Sequence, residues 1–169
     1  ADVVSDAPCF CDYRELDQLF PGSKFVYLER SLECWVPSMQ MLLGKMLPEL
    51  LPKTGYLNPV LKRVMNQTFA LLTATNPLQR EHLEACYLTH QQEVMAFFAQ
   101  RDDFLRIDLS DNNSMKKLLD FIGIDAPHVA HFPHLNTGKQ VDGSKAVKHP
   151  NKINSLSAGK DHRQFFDYQ

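Results

Sequence analysis

Phe20-Pro-Gly-Ser-Lys-Phe-Val-Tyr-Leu-Glu-Arg-Ser31 is the stretch on which the fold turns. Pro21 and Gly22 stop the element before them, and Lys24 to Leu28 is a nearly continuous apolar run. A run of that kind reads as a strand buried in a parallel sheet. Just upstream, Tyr13, Leu16, Leu19 and Phe20 fall at helical spacing, which predicts a short amphipathic helix over residues 11 to 20. Val3 and Val4 lead an expected first strand that ends at Ser5 and Asp6, because Pro8 forbids simple continuation. Strand, helix and strand within about thirty residues make a βαβ unit.

Downstream, Ser31 is placed to cap a helix carrying Leu32, Trp35, Met39, Leu42, Leu43 and Met46. Pro37 fits that helix only if its regular part starts near Trp35 or if it kinks, and Pro48 and Pro52 are expected to end it. Residues 59 to 75 and 77 to 100 read as two more helices, each with Pro near its start. Phe104 to Leu109 follows the turn Arg101-Asp-Asp103 as another strand. Ser110 to Ser114 then offers caps for a helix marked by Met115, Leu118, Leu119 and Ile122 and closed by Gly123. The expected class is α/β, helix-rich, with a parallel sheet and flanking helices.

After Asp125 the character changes. His128, His131 and His134 recur at a spacing of three, but Pro127 and Pro133 argue against the helix that would stack them. A solvated or substrate-side loop is expected there. From Gly138 the chain is polar and Lys-rich, and residues 138–169 read as a loop and tail that a ligand or neighbouring subunit would have to order. Lys139, Lys145, Lys148 and Lys152 read as a solvated run, with closure over a nucleotide's phosphates as the alternative.

Composition narrows the class. A length of 169 residues sets a prior of one domain, and 44% hydrophobic with 22% charged residues is globular. A formal charge of −2 argues against nucleic-acid binding by bulk charge. No apolar run has the roughly 18 residues that span a bilayer. Cys9 and Cys11 are too close for a zinc pair, so the four cysteines read as free thiols of a reducing, cytoplasmic compartment, with no metal site.

In parallel α/β sheets, ligands bind beyond the carboxyl ends of the strands. Three such ends are expected: Ser5-Asp6-Ala7-Pro8, Glu29-Arg30-Ser31, and Asp108 to Asp111. Arg30, at a strand end and a helix start with the Ser38 hydroxyl eight residues on, has the chemistry to hold a phosphate.

Phe20 to Arg30, with Trp35 and Ser38, is similar to the nucleotide-binding strand and helix of the P-loop sulfotransferases, and most similar to their broad microbial branch. Tyr87 and His90, Phe97-Phe98, the strand Phe104 to Leu109, the helix Lys116 to Gly123 and Phe132-Pro-His-Leu-Asn-Thr137 look like later blocks of that family. The resemblance spans roughly residues 2 to 137. It implies a P-loop NTPase-like sulfotransferase fold and 3′-phosphoadenosine 5′-phosphosulfate (PAPS) as co-substrate, with no metal. It further implies Arg30 and Ser38 on the 3′-phosphate and Asp6 at the position of the catalytic base. The acceptor would be a hydroxyl or amine on a small molecule or glycan, in a pocket built by residues 39 to 80 and the tail.

The family's Gly-rich phosphosulfate loop does not occur in these residues, and neither do its Arg-Lys-Gly signature and C-terminal dimer motif. Residues 1–137 are therefore expected to be the C-terminal portion of a sulfotransferase-like domain. Its sheet should be incomplete at the N-terminus, with near-background transfer by the chain alone. Plainer readings stand beside these. Arg30 could pair with Glu29 or Glu33, Ser38 could face solvent, Asp6 could cap the next helix, and His90 could be a core or surface histidine. Two other functions compete. One is a nucleotide kinase-like phosphotransferase with Asp108 and Asp111 on Mg²⁺, the other a non-catalytic nucleotide-binding or interaction module.

Overall fold

The computed structural model describes residues 3–51, 57, 59–126, 128–129 and 131–132. Within them the chain forms α1 (Tyr13–Leu19), β1 (Phe25–Glu29), α2 (Leu32–Leu50), α3 (Pro59–Phe69), α4 (Arg80–Phe97), β2 (Phe104–Asp108) and α5 (Ser114–Ile122). β1 and β2 pair in parallel, in a register that sets Phe25 beside Phe104 and Glu29 beside Asp108. The class is α/β with a parallel sheet, as expected. His134, Pro52 and the segment from residue 133 onward, tail lysines included, lie outside the described residues.

Local chemistry explains several boundaries. Ser31 occupies the N-cap of α2 in extended backbone, although its hydroxyl makes no cap bond. Gly123 closes α5 in the left-handed region at φ 76°, and Ile124 N–H donates to the Leu119 carbonyl at 2.9 Å. That is the Schellman closure, which glycine enters without a Cβ penalty. Pro59 starts α3 at a position where a missing N–H costs nothing.

Two apolar clusters hold the elements. Val36, Leu43, Leu50, Met65, Phe69, Leu71 and Leu83 join α2, α3 and α4. Tyr13, Val94 and Phe98, with Phe25, Tyr27, Phe97 and Phe104 packed on them, tie α1 and the end of α4 to one face of the sheet.

The structure corrects four expectations. Val3 and Val4 are 84% and 66% exposed and form no strand, because two apolar residues before a turn are not a ladder without a partner. β1 alternates instead of being buried on both faces: Phe25, Tyr27 and Glu29 are half-buried, whereas Val26 and Leu28 are exposed. α5 packs on β2 and Ile107 is buried, yet nothing among the described residues covers Val26 and Leu28 to the same degree. α2 starts at Leu32 and runs through both Pro37 and Pro48, each forgoing one helical N–H in exchange for the burial of Val36, Leu43 and Leu50. The helix expected over residues 59 to 75 stops at Phe69, where Ala70 turns to φ 47°.

Candidate active site at the carboxyl end of the sheet

Arg30 follows the last residue of β1 and precedes the N-cap of α2. Its main chain is held by one side chain on α4. The Arg30 N–H donates to the Tyr87 hydroxyl oxygen at 3.2 Å, and that hydroxyl donates to the Arg30 carbonyl at 2.9 Å. The Arg30 side chain is exposed.

The carboxylates that could have consumed Arg30 are engaged elsewhere. Glu29 accepts from Arg106 Nε at 2.7 Å, from the Arg106 Nη2 group, and from Gln91 Nε2 at 3.0 Å. Hydrogen bonding from Arg106, against a smaller desolvation effect, keeps the Glu29 carboxyl below its ordinary range. Glu33 lies 3.6 Å from Arg80, which also binds Glu84 at 2.7 Å. Among the described residues, Arg30 forms no ion pair, which sets aside its expected pairing with Glu29 or Glu33. Ser38 is half-buried on α2. Eight residues at 1.5 Å put it about 12 Å along from Arg30, a gap that a guanidinium arm and a phosphate together can bridge.

Asp6 is exposed and lies in the left-handed region at φ 70°. It does not cap the next helix, because Asp12 occupies the N-cap of α1. Asp12 is 3% exposed, and both its oxygens are gripped by Arg63 on α3, at 3.0 and 2.5 Å. The same loop is held from α4, where His90 Nε2 lies 2.6 Å from the Phe10 carbonyl. A carbonyl only accepts, so that nitrogen carries the proton and donates. The imidazole also stacks on Tyr27 and meets Tyr13 edge-on. His90 braces the loop, in line with its plainer reading. Asp12 and Arg63 escaped sequence reasoning, since no periodicity connects groups 51 positions apart.

Asp108 and Asp111 are satisfied locally. Asp108 Oδ1 accepts from the Ser110 N–H at 2.8 Å and its hydroxyl at 2.7 Å, while the Asp108 carbonyl takes the Ser114 hydroxyl. Asp111 accepts from Lys117 at 2.7 Å and from the Asn113 N–H at 2.9 Å. Both carboxyls sit below their ordinary range, Asp108 through Ser110 and Asp111 through Lys117. Cys9, Cys11 and Cys86 are half-buried free thiols whose pKa burial raises, and Cys34 is exposed.

A shallow cleft of about 200 Å³ opens between the end of α2, α3 and the turn after it. Leu50, Leu71 and Leu72 form its apolar wall, with Lys62, Arg63 and Asn66 adding polar groups. It falls in the 39–80 region expected to bind an acceptor, and Arg63 joins it to the loop of Asp6 through Asp12. Among the described residues no group of three or more His, Cys, Asp or Glu is arranged to hold a metal, and no helix is long and apolar enough to cross a membrane.

No curated protein and no solved structure matches the chain. A family model does, over residues 1–141, a stretch that takes in Asp6, Arg30, Ser38 and the whole of the sheet. With that match covering most of its length, the chain belongs to the sulfotransferase domain family.

Proposed function

We propose that the protein transfers a sulfuryl group from PAPS to a hydroxyl or amine on a small-molecule or glycan acceptor. The observation that carries this reading is the state of Arg30, which is exposed at the carboxyl end of the sheet while Glu29 and Glu33 are bound to other arginines. A guanidinium with no carboxylate partner among the described residues, beside a helix N-terminus, suits a bidentate phosphate contact. The Ser31 hydroxyl makes no cap bond, so it leaves the first N–H groups of α2 open to an anion.

When bound, PAPS supplies the sulfuryl group and a bisphosphate leaving group. Arg30 and Ser38 hold the 3′-phosphate and thereby orient the donor. Asp6 takes the acceptor's proton as the acceptor oxygen or nitrogen bonds to sulfur. The exposed position of Asp6 suits that role only with the acceptor in place, when the acceptor and donor exclude water from the carboxylate. The cleft beside Arg63 gives the acceptor an apolar wall with cationic groups at its edge.

The kinase-like reading is weaker, because Asp108 and Asp111 are spent on Ser110 and Lys117. The test is direct. Release of 3′-phosphoadenosine 5′-phosphate from PAPS by the full-length protein, measured against a panel of hydroxyl and amine acceptors, should rise with at least one of them. Release that no acceptor accelerates would leave the non-catalytic nucleotide-binding module as the better reading.

A further inference from the structure

We propose that Tyr87 is a positioning residue, whose hydroxyl fixes the main chain of Arg30 so that the guanidinium meets the 3′-phosphate, without touching the nucleotide itself. The proposal rests on the donor reading above. Arg30 stands where the strand ladder has ended at Glu29 and the helix has not begun, since α2 starts at Leu32. Both of its main-chain polar groups are satisfied by the single hydroxyl of Tyr87, 57 positions away on α4. A long side chain amplifies any rotation at its root. Holding the N–H and the C=O of one residue together removes the two soft dihedrals that aim it.

The hydroxyl is already committed to Arg30. A tyrosine hydroxyl offers one hydrogen and two lone pairs. The hydrogen goes to the Arg30 carbonyl and one lone pair takes the Arg30 N–H, so the hydroxyl has no hydrogen left to donate to a ligand. Burial, with the Tyr87 hydroxyl nearby, pushes the Tyr27 pKa upward. The Tyr87 ring is buried, with its centroid 4.8 Å from that of Trp35 on α2, so the hydroxyl is presented from a fixed frame. Tyr87 thus acts on the nucleotide through Arg30.

The experiment is a double-mutant cycle read by titration calorimetry with 3′-phosphoadenosine 5′-phosphate and with adenosine 5′-phosphate. Near-ultraviolet circular dichroism confirms the fold of each variant. Tyr87→Phe keeps the ring, and should weaken the bisphosphate about 5- to 30-fold while changing adenosine 5′-phosphate by less than about twofold. In an Arg30→Ala background, Tyr87→Phe should cost nothing further, because the residue it acts through is gone. Tyr27→Phe, which removes a neighbouring hydroxyl but neither bond to Arg30, should stay within about twofold of the wild type.

An unchanged bisphosphate affinity in Tyr87→Phe would overturn the proposal. So would an equal loss for both nucleotides, or a loss that persists in Arg30→Ala, since each points to direct contact or general loosening. Arg30→Ala separates the two levels. If it weakens the bisphosphate selectively and Tyr87→Phe does not, only the Tyr87 proposal falls. If Arg30→Ala changes nothing, the donor reading falls and takes the Tyr87 proposal with it.

Discussion

Arg101 and Arg30 stand at opposite ends of the same two strands and are used in opposite ways. Arg101, at the amino end, donates to both oxygens of Asp17 at 2.8 and 2.7 Å and to both oxygens of Asp103 at 2.9 and 2.7 Å. Its guanidinium carbon also lies 4.9 Å from the centre of the Phe98 ring. The Asp103 carbonyl in turn accepts from the Phe25 N–H, so this bracket starts the sheet. Arg30, at the carboxyl end, has no carboxylate partner among the described residues, and the nearest acids in sequence are bound by Arg106 and Arg80. One arginine is consumed by the fold, and the other is the one proposed to bind. Residue type does not separate the two: Arg101 is half-buried between two carboxylates, and Arg30 is exposed with its nearest acids engaged elsewhere.

The largest effect expected from breaking this division is on chemistry at the carboxyl end. In the full-length protein, Asp6→Asn should lower turnover about 10²- to 10⁴-fold and leave the affinity for 3′-phosphoadenosine 5′-phosphate nearly unchanged. Asparagine tolerates the left-handed backbone at this position, so the variant isolates the proton acceptor from strain. Wild-type turnover in Asp6→Asn would remove the carboxylate from the mechanism.

Next in size is Arg63→Ala, which leaves the Asp12 carboxylate buried without its main partner. Its stability, read from urea unfolding, should fall by about 3–5 kcal/mol, because removing one member of a buried pair strands the other. A loss below about 1 kcal/mol would show that water reaches Asp12 freely.

Smaller still is the response of the amino-end bracket. Arg101→Ala should lower the melting temperature while leaving bisphosphate affinity within about twofold of the wild type. The same bracket sets an acid limb. Hydrogen bonding from Arg101 holds the Asp17 and Asp103 carboxyls below their ordinary range. Between the folded and unfolded pKa values the unfolded chain binds more protons, so this stability is present above about pH 4 and is lost as pH falls through the folded values. Melting temperatures measured downward from pH 6 should therefore drop less steeply below pH 4 in Arg101→Ala than in the wild type.

What the sequence disclosed follows the range of the interactions. β1, the Ser31 N-cap and the Gly123 closure depend on neighbours within a few residues, and all three were legible. The expected first strand at Val3 and Val4 was not secure, because pairing is a long-range property that two apolar residues cannot specify. Proline punctuation misled at Pro48, where tertiary burial of Leu43 and Leu50 outweighs one lost helical bond. Arg30, Ser38 and Asp6 could be named from spacing and resemblance. The engagement of Glu29 by Arg106 could not, since those residues meet only through the parallel register that sets Tyr27 beside Arg106. For the same reason Tyr87 was visible as a block of the family pattern but not as the anchor of Arg30.

The central claim, that Arg30 is the arginine reserved for the donor, is tested most directly by titrating 3′-phosphoadenosine 5′-phosphate into the wild type, Arg30→Ala and Arg101→Ala. Arg30→Ala should lose about 30- to 1,000-fold in affinity, consistent with a charge-assisted contact worth about 2–4 kcal/mol, and melt close to the wild type. Arg101→Ala should bind as the wild type does. Equal affinity in Arg30→Ala and the wild type, or a loss as large for adenosine 5′-phosphate as for the bisphosphate, would contradict the account.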